Sequence, residues 1–156
     1  MNKNINEVIE RAFENKSNAL YLNDFDLETI PEKVFKMSWL RVLNLSWNRL
    51  ETLPPEIGEL KELKKLDLSE NNLKALPPQI GQLKKLKELC LIHNQLTTLP
   101  EEIGGLSALR MLWISSNKLI FLPTEILQLI RKNQIYLSDN PYSPEELWKT
   151  AWMGRR

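Results

Sequence analysis

The stretch LRVLNLSWNRL, residues 40–50, recurs at intervals of 23 residues. Its equivalents are LKKLDLSENNL at 63–73, LKELCLIHNQL at 86–96 and LRMLWISSNKL at 109–119. The shared pattern is Leu-x-x-Leu-x-Leu-x-x-Asn-x-Leu, with isoleucine at one position of the fourth copy. Four copies without insertion or deletion predict a solenoid, in which each repeat packs only against its neighbours.

Each repeat divides into a strand, a turn and a helical segment. The Leu-x-Leu part alternates with period two and predicts a short strand with inward leucines. The asparagine then turns the chain, and a second half such as Leu53–Leu60 (LPPEIGEL) predicts a short helical or 3₁₀ turn after its proline. We therefore expect an α/β solenoid, a right-handed superhelix with a concave parallel sheet and convex 3₁₀ or short helical turns.

The repeat register extends one period in each direction, which gives about six repeats over residues 17–142. A solenoid exposes its apolar core at both ends and needs caps. Helical apolar spacing predicts an N-terminal helical cap within residues 1–16. Ser143-Pro144-Glu145-Glu146 resembles a helix start, and Leu147, Trp148 and Trp152 follow it, so we expect a C-terminal helical cap over 143–156. Residues 1–156 would then form one complete domain.

Composition favours a protein that stays in a reducing compartment. Lysine plus arginine number 21 against 20 aspartates and glutamates, so the net charge of +1 exerts no global attraction on nucleic acid or membrane. The single cysteine, Cys90, allows no intramolecular disulfide. The charged first residues lack the apolar segment of a signal peptide, and no apolar run approaches the ~20 residues of a membrane span. We expect a cytoplasmic monomer, with signal-less export as a bacterial effector as an alternative.

The repeat pattern resembles the leucine-rich repeat family, in its 23-residue subclass with a Leu-Pro-x-x-Ile-Gly-x-Leu second half. The resemblance covers roughly residues 17–142. It implies a solenoid of the kind found in bacteria and in intracellular scaffold proteins. It also implies protein–protein contacts made through the concave face. Some members of the family attach a kinase, a GTPase or a ubiquitin ligase, but no such attachment is visible in this sequence.

The asparagines of the repeats predict a structural ladder. A buried amide can donate to and accept from the backbone of neighbouring turns, which would otherwise carry unpaired polar groups. The predicted ladder comprises Asn48, Asn71, Asn94, Asn117 and Asn140.

The concave face offers the best candidate for a partner-binding site. Residues that flank the inward leucines face solvent, and neighbouring strands lie about 4.8 Å apart. Aromatic and apolar residues with a polar rim are typical of a protein-binding hot spot, although single exposed aromatics also occur without function. The predicted binding residues are Tyr21, Trp47, Asp67, Glu70, Glu88, Cys90, Ile92, His93, Met111, Trp113 and Tyr136.

Two rival functions remain open at this stage. Cys90 and His93, beside Asp67 and Glu70, could bind a metal or form a nucleophile pair, although an open sheet face excludes no water. A second rival is an anionic-surface or nucleic-acid binder that uses the basic residues at the repeat junctions. These are Arg41, Lys61, Lys64, Lys65, Lys84, Lys85, Lys87 and Arg110.

The sequence favours a non-enzymatic protein-interaction module, an intracellular adaptor or regulator. We expect a protein partner of unknown identity, no cofactor, no metal, no catalytic residues, no nucleic acid and no membrane. No phosphate-binding loop or hydrolase motif is present in the sequence.

Overall fold

A computed structural model describes residues 4–130 and 134–141 of the chain. It contains one parallel sheet of six strands, which neighbour each other in sequence order. The strands are β1 (Ala19–Tyr21), β2 (Val42–Asn44), β3 (Lys65–Asp67), β4 (Glu88–Cys90), β5 (Met111–Trp113) and β6 (Gln134–Tyr136). This is the predicted solenoid sheet.

The period of 23 residues sets the register between strands. Leu43 lies opposite Leu66, and Leu66 lies opposite Leu89, so each residue pairs with its equivalent in the next repeat. These central leucines are almost fully buried. Stacked repeats therefore share one continuous leucine core, with one side of the sheet facing it.

Helical turns cover the other side of the core, as the proline starts predict. Four repeats use 3₁₀ helices, at Glu32–Lys36, Pro55–Glu59, Pro78–Gln82 and Glu101–Gly105. The fifth uses a short α-helix, α2 (Ile126–Ile130). Its sequence departs from the earlier pattern, because Leu127 stands where three previous repeats have glycine.

An N-terminal helix, α1 (Ile5–Glu14), covers the first repeat. The side chain of Asn4 caps it by accepting from the N–H of Asn6, and Ile9 and Ala12 are buried against the core. The Phe13 ring packs on the Trp39 ring with 5.5 Å between their centroids, and the Trp39 indole N–H donates to the carbonyl of Ser17. The predicted C-terminal cap lies outside the described residues.

The ladder asparagines bind the backbone of two repeats each. Asn71 donates from Nδ2 to the carbonyls of Leu45, one repeat earlier, and of Leu68 in its own repeat, at 2.9 and 3.1 Å. Its Oδ1 accepts from the N–H of Leu50. Equivalent bonds recur in every other repeat that has the asparagine, at Asn48, Asn94, Asn117 and Asn140.

Candidate functional site

The solvent side of the sheet, which we define as the concave face, presents four columns of side chains from equivalent repeat positions. The central column runs Tyr21, Asn44, Asp67, Cys90, Trp113, Tyr136, and the register pairs its members in neighbouring strands. The predicted binding residues all lie in these columns, and none of them is buried. The strand register thus brings side chains from distant repeats onto one surface.

A groove of about 440 Å³ lies in the concave face and spans strands β1 to β5. The predicted site residues among its lining are Tyr21, Asp67, Glu88, Cys90, Ile92 and Trp113. Sequence reasoning did not select the other polar and apolar lining residues, which include Val42, Asn44 and Lys65. Trp47, Glu70, His93, Met111 and Tyr136 are not among the lining residues. The groove therefore reaches further toward the N-terminal repeats than the aromatic residues alone indicate.

Two aromatic rings form a stacked pair at the C-terminal side of the groove. The rings of Trp113 and Tyr136 lie nearly parallel, 8° apart, with centroids separated by 6.0 Å. Stacking restrains both rings before any partner arrives, so less side-chain entropy remains to be lost on binding. Ile92 and Trp113 both line the groove. They give it an apolar wall.

Trp47 occupies a strained and exposed position at the end of the β2 segment. Its φ is +56°, in the left-handed region that bulky residues rarely adopt, and 63% of its surface is exposed. Equivalent positions hold Asp24, Glu70, His93, Ser116 and Asp139, all with positive φ. An exposed indole gains little burial there in return for its strained backbone. This combination supports a role for Trp47 in binding rather than in folding.

The polar residues on the groove floor are held by their own turns. Asp67 Oδ1 accepts from both the N–H and the hydroxyl of Ser69, at 3.0 and 2.7 Å. Asn44 Oδ1 binds Ser46 in the same way one repeat earlier, at 2.9 and 2.7 Å. The shared pattern Asx-Leu-Ser was the available sequence signal for this arrangement. The Asp67 carboxylate is therefore fixed in position while it remains half-buried.

Cys90 and His93 have separate partners. The Cys90 thiol contacts Asp67 and Ser69, and burial raises its pKa, so the neutral thiol is favoured. His93 Nε2 lies 3.8 Å from Glu70 Oε1. Among the described residues, no group of three or more histidine, cysteine, aspartate or glutamate side chains is arranged to hold a metal ion.

The ion pairs connect neighbouring repeats. Every ion pair between described side chains joins positions 23 residues apart: Glu10–Lys33, Asp26–Arg49, Glu51–Lys74, Glu62–Lys85, Lys65–Glu88 and Glu70–His93. The hydrogen bond from Lys85, aided by its charge, lowers the pKa of the exposed Glu62 carboxyl. Several lysines of the predicted basic edge are therefore partly neutralised along the solenoid axis.

Ile120 and Phe121 were not singled out from the sequence. They are 56% and 54% exposed, and they lie on the loop after the fourth complete repeat motif. Equivalent positions in the preceding repeats hold smaller or more polar pairs, Glu51-Thr52, Lys74-Ala75 and Thr97-Thr98. Comparison of each repeat with its neighbours was the available signal.

The family profile described as "Leucine-rich repeat region" matches residues 20–117, more than half of the chain. The chain therefore belongs to the leucine-rich repeat family. Members of this family are generally non-enzymatic modules for protein interaction. A comparison with curated proteins gives no significant match. Within the described residues, no helix has both the length and the apolar character that crossing a bilayer requires.

Solved structures share the fold. A leucine-rich repeat protein of Leptospira interrogans is 37% identical, with a TM-score of 0.73 over 85% of this chain and 40% of that one. The ectodomain of the Arabidopsis thaliana receptor kinase GASSHO1/SCHENGEN3, in complex with CASPARIAN STRIP INTEGRITY FACTOR 2, is 36% identical. Its TM-score is 0.70 over 79% of this chain and 16% of that one. The Arabidopsis BIR3–SERK2 complex gives 32% identity and a TM-score of 0.64 over 80% and 71%. The chain thus spans less than half of the first two structures.

Proposed function

We propose that this chain is a non-enzymatic protein-interaction module that binds a protein partner through its concave face, as an intracellular adaptor or regulator. The observation that carries the proposal is the groove between β1 and β5, with its fixed polar floor and its Ile92–Trp113 wall. Stacked, restrained aromatics beside a groove are suited to anchor a partner side chain. The single cysteine is consistent with a reducing compartment.

The related structures support the same proposal. Two of the solved leucine-rich repeat structures are complexes, one with CASPARIAN STRIP INTEGRITY FACTOR 2 and one between BIR3 and SERK2. In this chain, Trp113, Met111, Tyr136, Ile92 and Trp47 would supply apolar anchoring. Asp67, Glu70, Glu88, Lys65 and His93 would set register and specificity.

The rival functions receive less support from the geometry. A nucleophilic or metal-binding thiol needs its thiolate form, whereas burial raises the pKa of Cys90 and favours the thiol. On the basic edge, Lys85 contacts Glu62 and Lys65 contacts Glu88, which reduces the positive charge available to an anionic partner.

The test is a selection of random linear peptides displayed on phage against the immobilised protein. Clones that bind the wild-type chain are then counter-screened on Trp113→Ala and on Lys74→Ala, whose parent lysine lies in the Glu51 ion pair outside the groove. The proposal predicts that most clones lose binding to Trp113→Ala and retain it on Lys74→Ala. Clones that bind all three proteins equally would place the interaction elsewhere and overturn the proposal.

A further inference from the structure

The charge of the concave face differs from that of the whole molecule. Its four columns carry five carboxylates and one lysine, Lys65, which gives a formal charge of −4 with His93 neutral, whereas the chain carries +1. The carboxylates are Asp24, Asp67, Glu70, Glu88 and Asp139. A partner that covers this face meets an excess of negative charge, so a cationic partner is favoured.

Within the groove, Asp67 is the carboxylate available to a partner. Lys65 and Glu88, which also line the groove, lie 3.0 Å apart across β3 and β4 and neutralise each other. Asp67 has no lysine or arginine within ion-pair distance, and Ser69 holds its Oδ1. A carboxylate fixed in this way can accept from a partner's ammonium or guanidinium group without first losing rotamer freedom.

The distance between Asp67 and the aromatic wall restricts the form of the partner. Asp67 on β3 and Trp113 on β5 occupy the same column, with Cys90 on β4 between them. Two strand spacings of about 4.8 Å amount to about 10 Å. In a polyproline II segment, three residues advance the chain by about 9 Å and return the side chain to the same side. A cationic and an apolar residue three positions apart would therefore reach both sites.

We propose that the concave groove binds an extended, polyproline II-like peptide segment that carries a lysine or arginine for Asp67 and an apolar side chain, three residues away, for the Ile92–Trp113 wall. This inference rests on the proposed function and specifies its partner by chemistry. It assigns the cation and the apolar anchor to different strands of the same face.

The internal repeat supplies a conservative test of the charge. Asn44 makes the same two bonds to Ser46 that Asp67 makes to Ser69. The substitution Asp67→Asn should therefore preserve the local turn and remove only the charge. Asp26→Asn is the matched control, because Asp26 pairs with Arg49 outside the groove.

The probes are capped, fluorescently labelled proline-rich peptides containing Lys-Pro-Pro-Leu or Leu-Pro-Pro-Lys, measured by anisotropy. Variants replace the lysine by norleucine or glutamate, replace the leucine by alanine, or remove one proline. In at least one chain direction, the lysine peptide should bind roughly ten-fold tighter than its norleucine analogue, and salt should reduce the difference. Removal of one proline should weaken binding.

Asp67→Asn should abolish the preference for lysine, and Asp26→Asn should retain it. Equal binding of lysine and norleucine peptides, tighter binding of the glutamate peptide, or no binding of any peptide would overturn the inference. If peptide binding depends on Trp113 but not on lysine, the cation site fails while the proposed function stands. If it depends on neither Asp67 nor Trp113, both fail.

Discussion

At the scale of single residues, the ladder asparagine is the polar group that the solenoid needs most. Asn71 is buried and binds the backbone of Leu45, Leu68 and Ser69 as donor and of Leu50 as acceptor. Its neighbour Asn72 is exposed and uses only its backbone N–H, which donates to the Leu50 carbonyl. Two adjacent asparagines thus differ sharply in structural role.

Replacement of Asn71 by alanine leaves buried backbone groups without partners. We expect Asn71→Ala to lower the free energy of unfolding by about 1–3 kcal/mol or more, because each orphaned group retains its desolvation cost. Asn72→Ala should change it by less than about 0.5 kcal/mol. Urea unfolding followed by circular dichroism provides both values. Equal effects of the two substitutions would contradict the assignment of the ladder.

Trp47 gives a prediction of the opposite sign. Its left-handed backbone disfavours a bulky side chain, whereas asparagine tolerates that region. Trp47→Asn should therefore raise the free energy of unfolding by about 1 kcal/mol. The same variant should bind the selected peptides more weakly. A variant that loses stability would show that the Trp47 indole contributes to the fold instead.

Cys90 tests the rival catalytic function. Burial raises the pKa of its thiol, so the folded protein holds less thiolate at neutral pH than an exposed cysteine does. Reaction with a chromogenic disulfide reagent should be slower in the folded protein than in denaturant, and its rate should rise as pH approaches the raised pKa. Faster reaction in the folded protein would indicate an activated thiol and favour the rival.

At the scale of elements, close approach between neighbouring helical turns explains the glycines of the repeat. A Cβ on Gly81 would lie 2.3 Å from the carbonyl oxygen of Glu102 in the next turn. A Cβ on Gly58 would meet first the side-chain oxygen of Gln82, at 2.9 Å. Backbone cannot yield as a side chain can, so the two glycines differ in how strictly they are required.

Gly81→Ala should lower the free energy of unfolding by about 1–3 kcal/mol, as overpacking does in well-packed cores. Gly58→Ala should cost less, because the Gln82 side chain can move. Chemical denaturation of the two variants under identical conditions measures the difference. A larger loss for Gly58→Ala than for Gly81→Ala would contradict this account of turn packing.

The sequence predicted elements well wherever the repeat determines them. The period of 23 fixes the strand positions, and the Leu-Pro-x-x-Ile-Gly pattern fixes the four convex 3₁₀ turns or their equivalents. It did not predict the choice of an α-helix at Ile126–Ile130, because the energetic difference between short helical turns depends on packing with neighbours. The N-terminal helix followed from apolar spacing, but its contact with Trp39 did not.

At the scale of the whole molecule, the candidate site was only partly accessible to sequence reasoning. Column positions follow from the repeat alone, so the predicted residues lie on one face. The extent of the groove toward Val42 and the mutual neutralisation of Lys65 and Glu88 depend on side-chain conformations, which the repeat does not specify. The bonds that hold Asp67 follow from a local Asx-Leu-Ser pattern that was visible but not used.

The most direct test of binding through the concave face is the dissociation constant of a peptide selected on the wild-type protein, measured for two variants. Trp113→Ala should weaken binding by about thirty-fold, the equivalent of the ~2 kcal/mol of a buried aromatic hot spot. The combined variant Lys61→Ser, Lys84→Ser, Lys87→Ser should change it by less than about three-fold. If the lysine variant abolishes binding while Trp113→Ala binds as tightly as wild type, the basic edge and not the concave face is the binding surface.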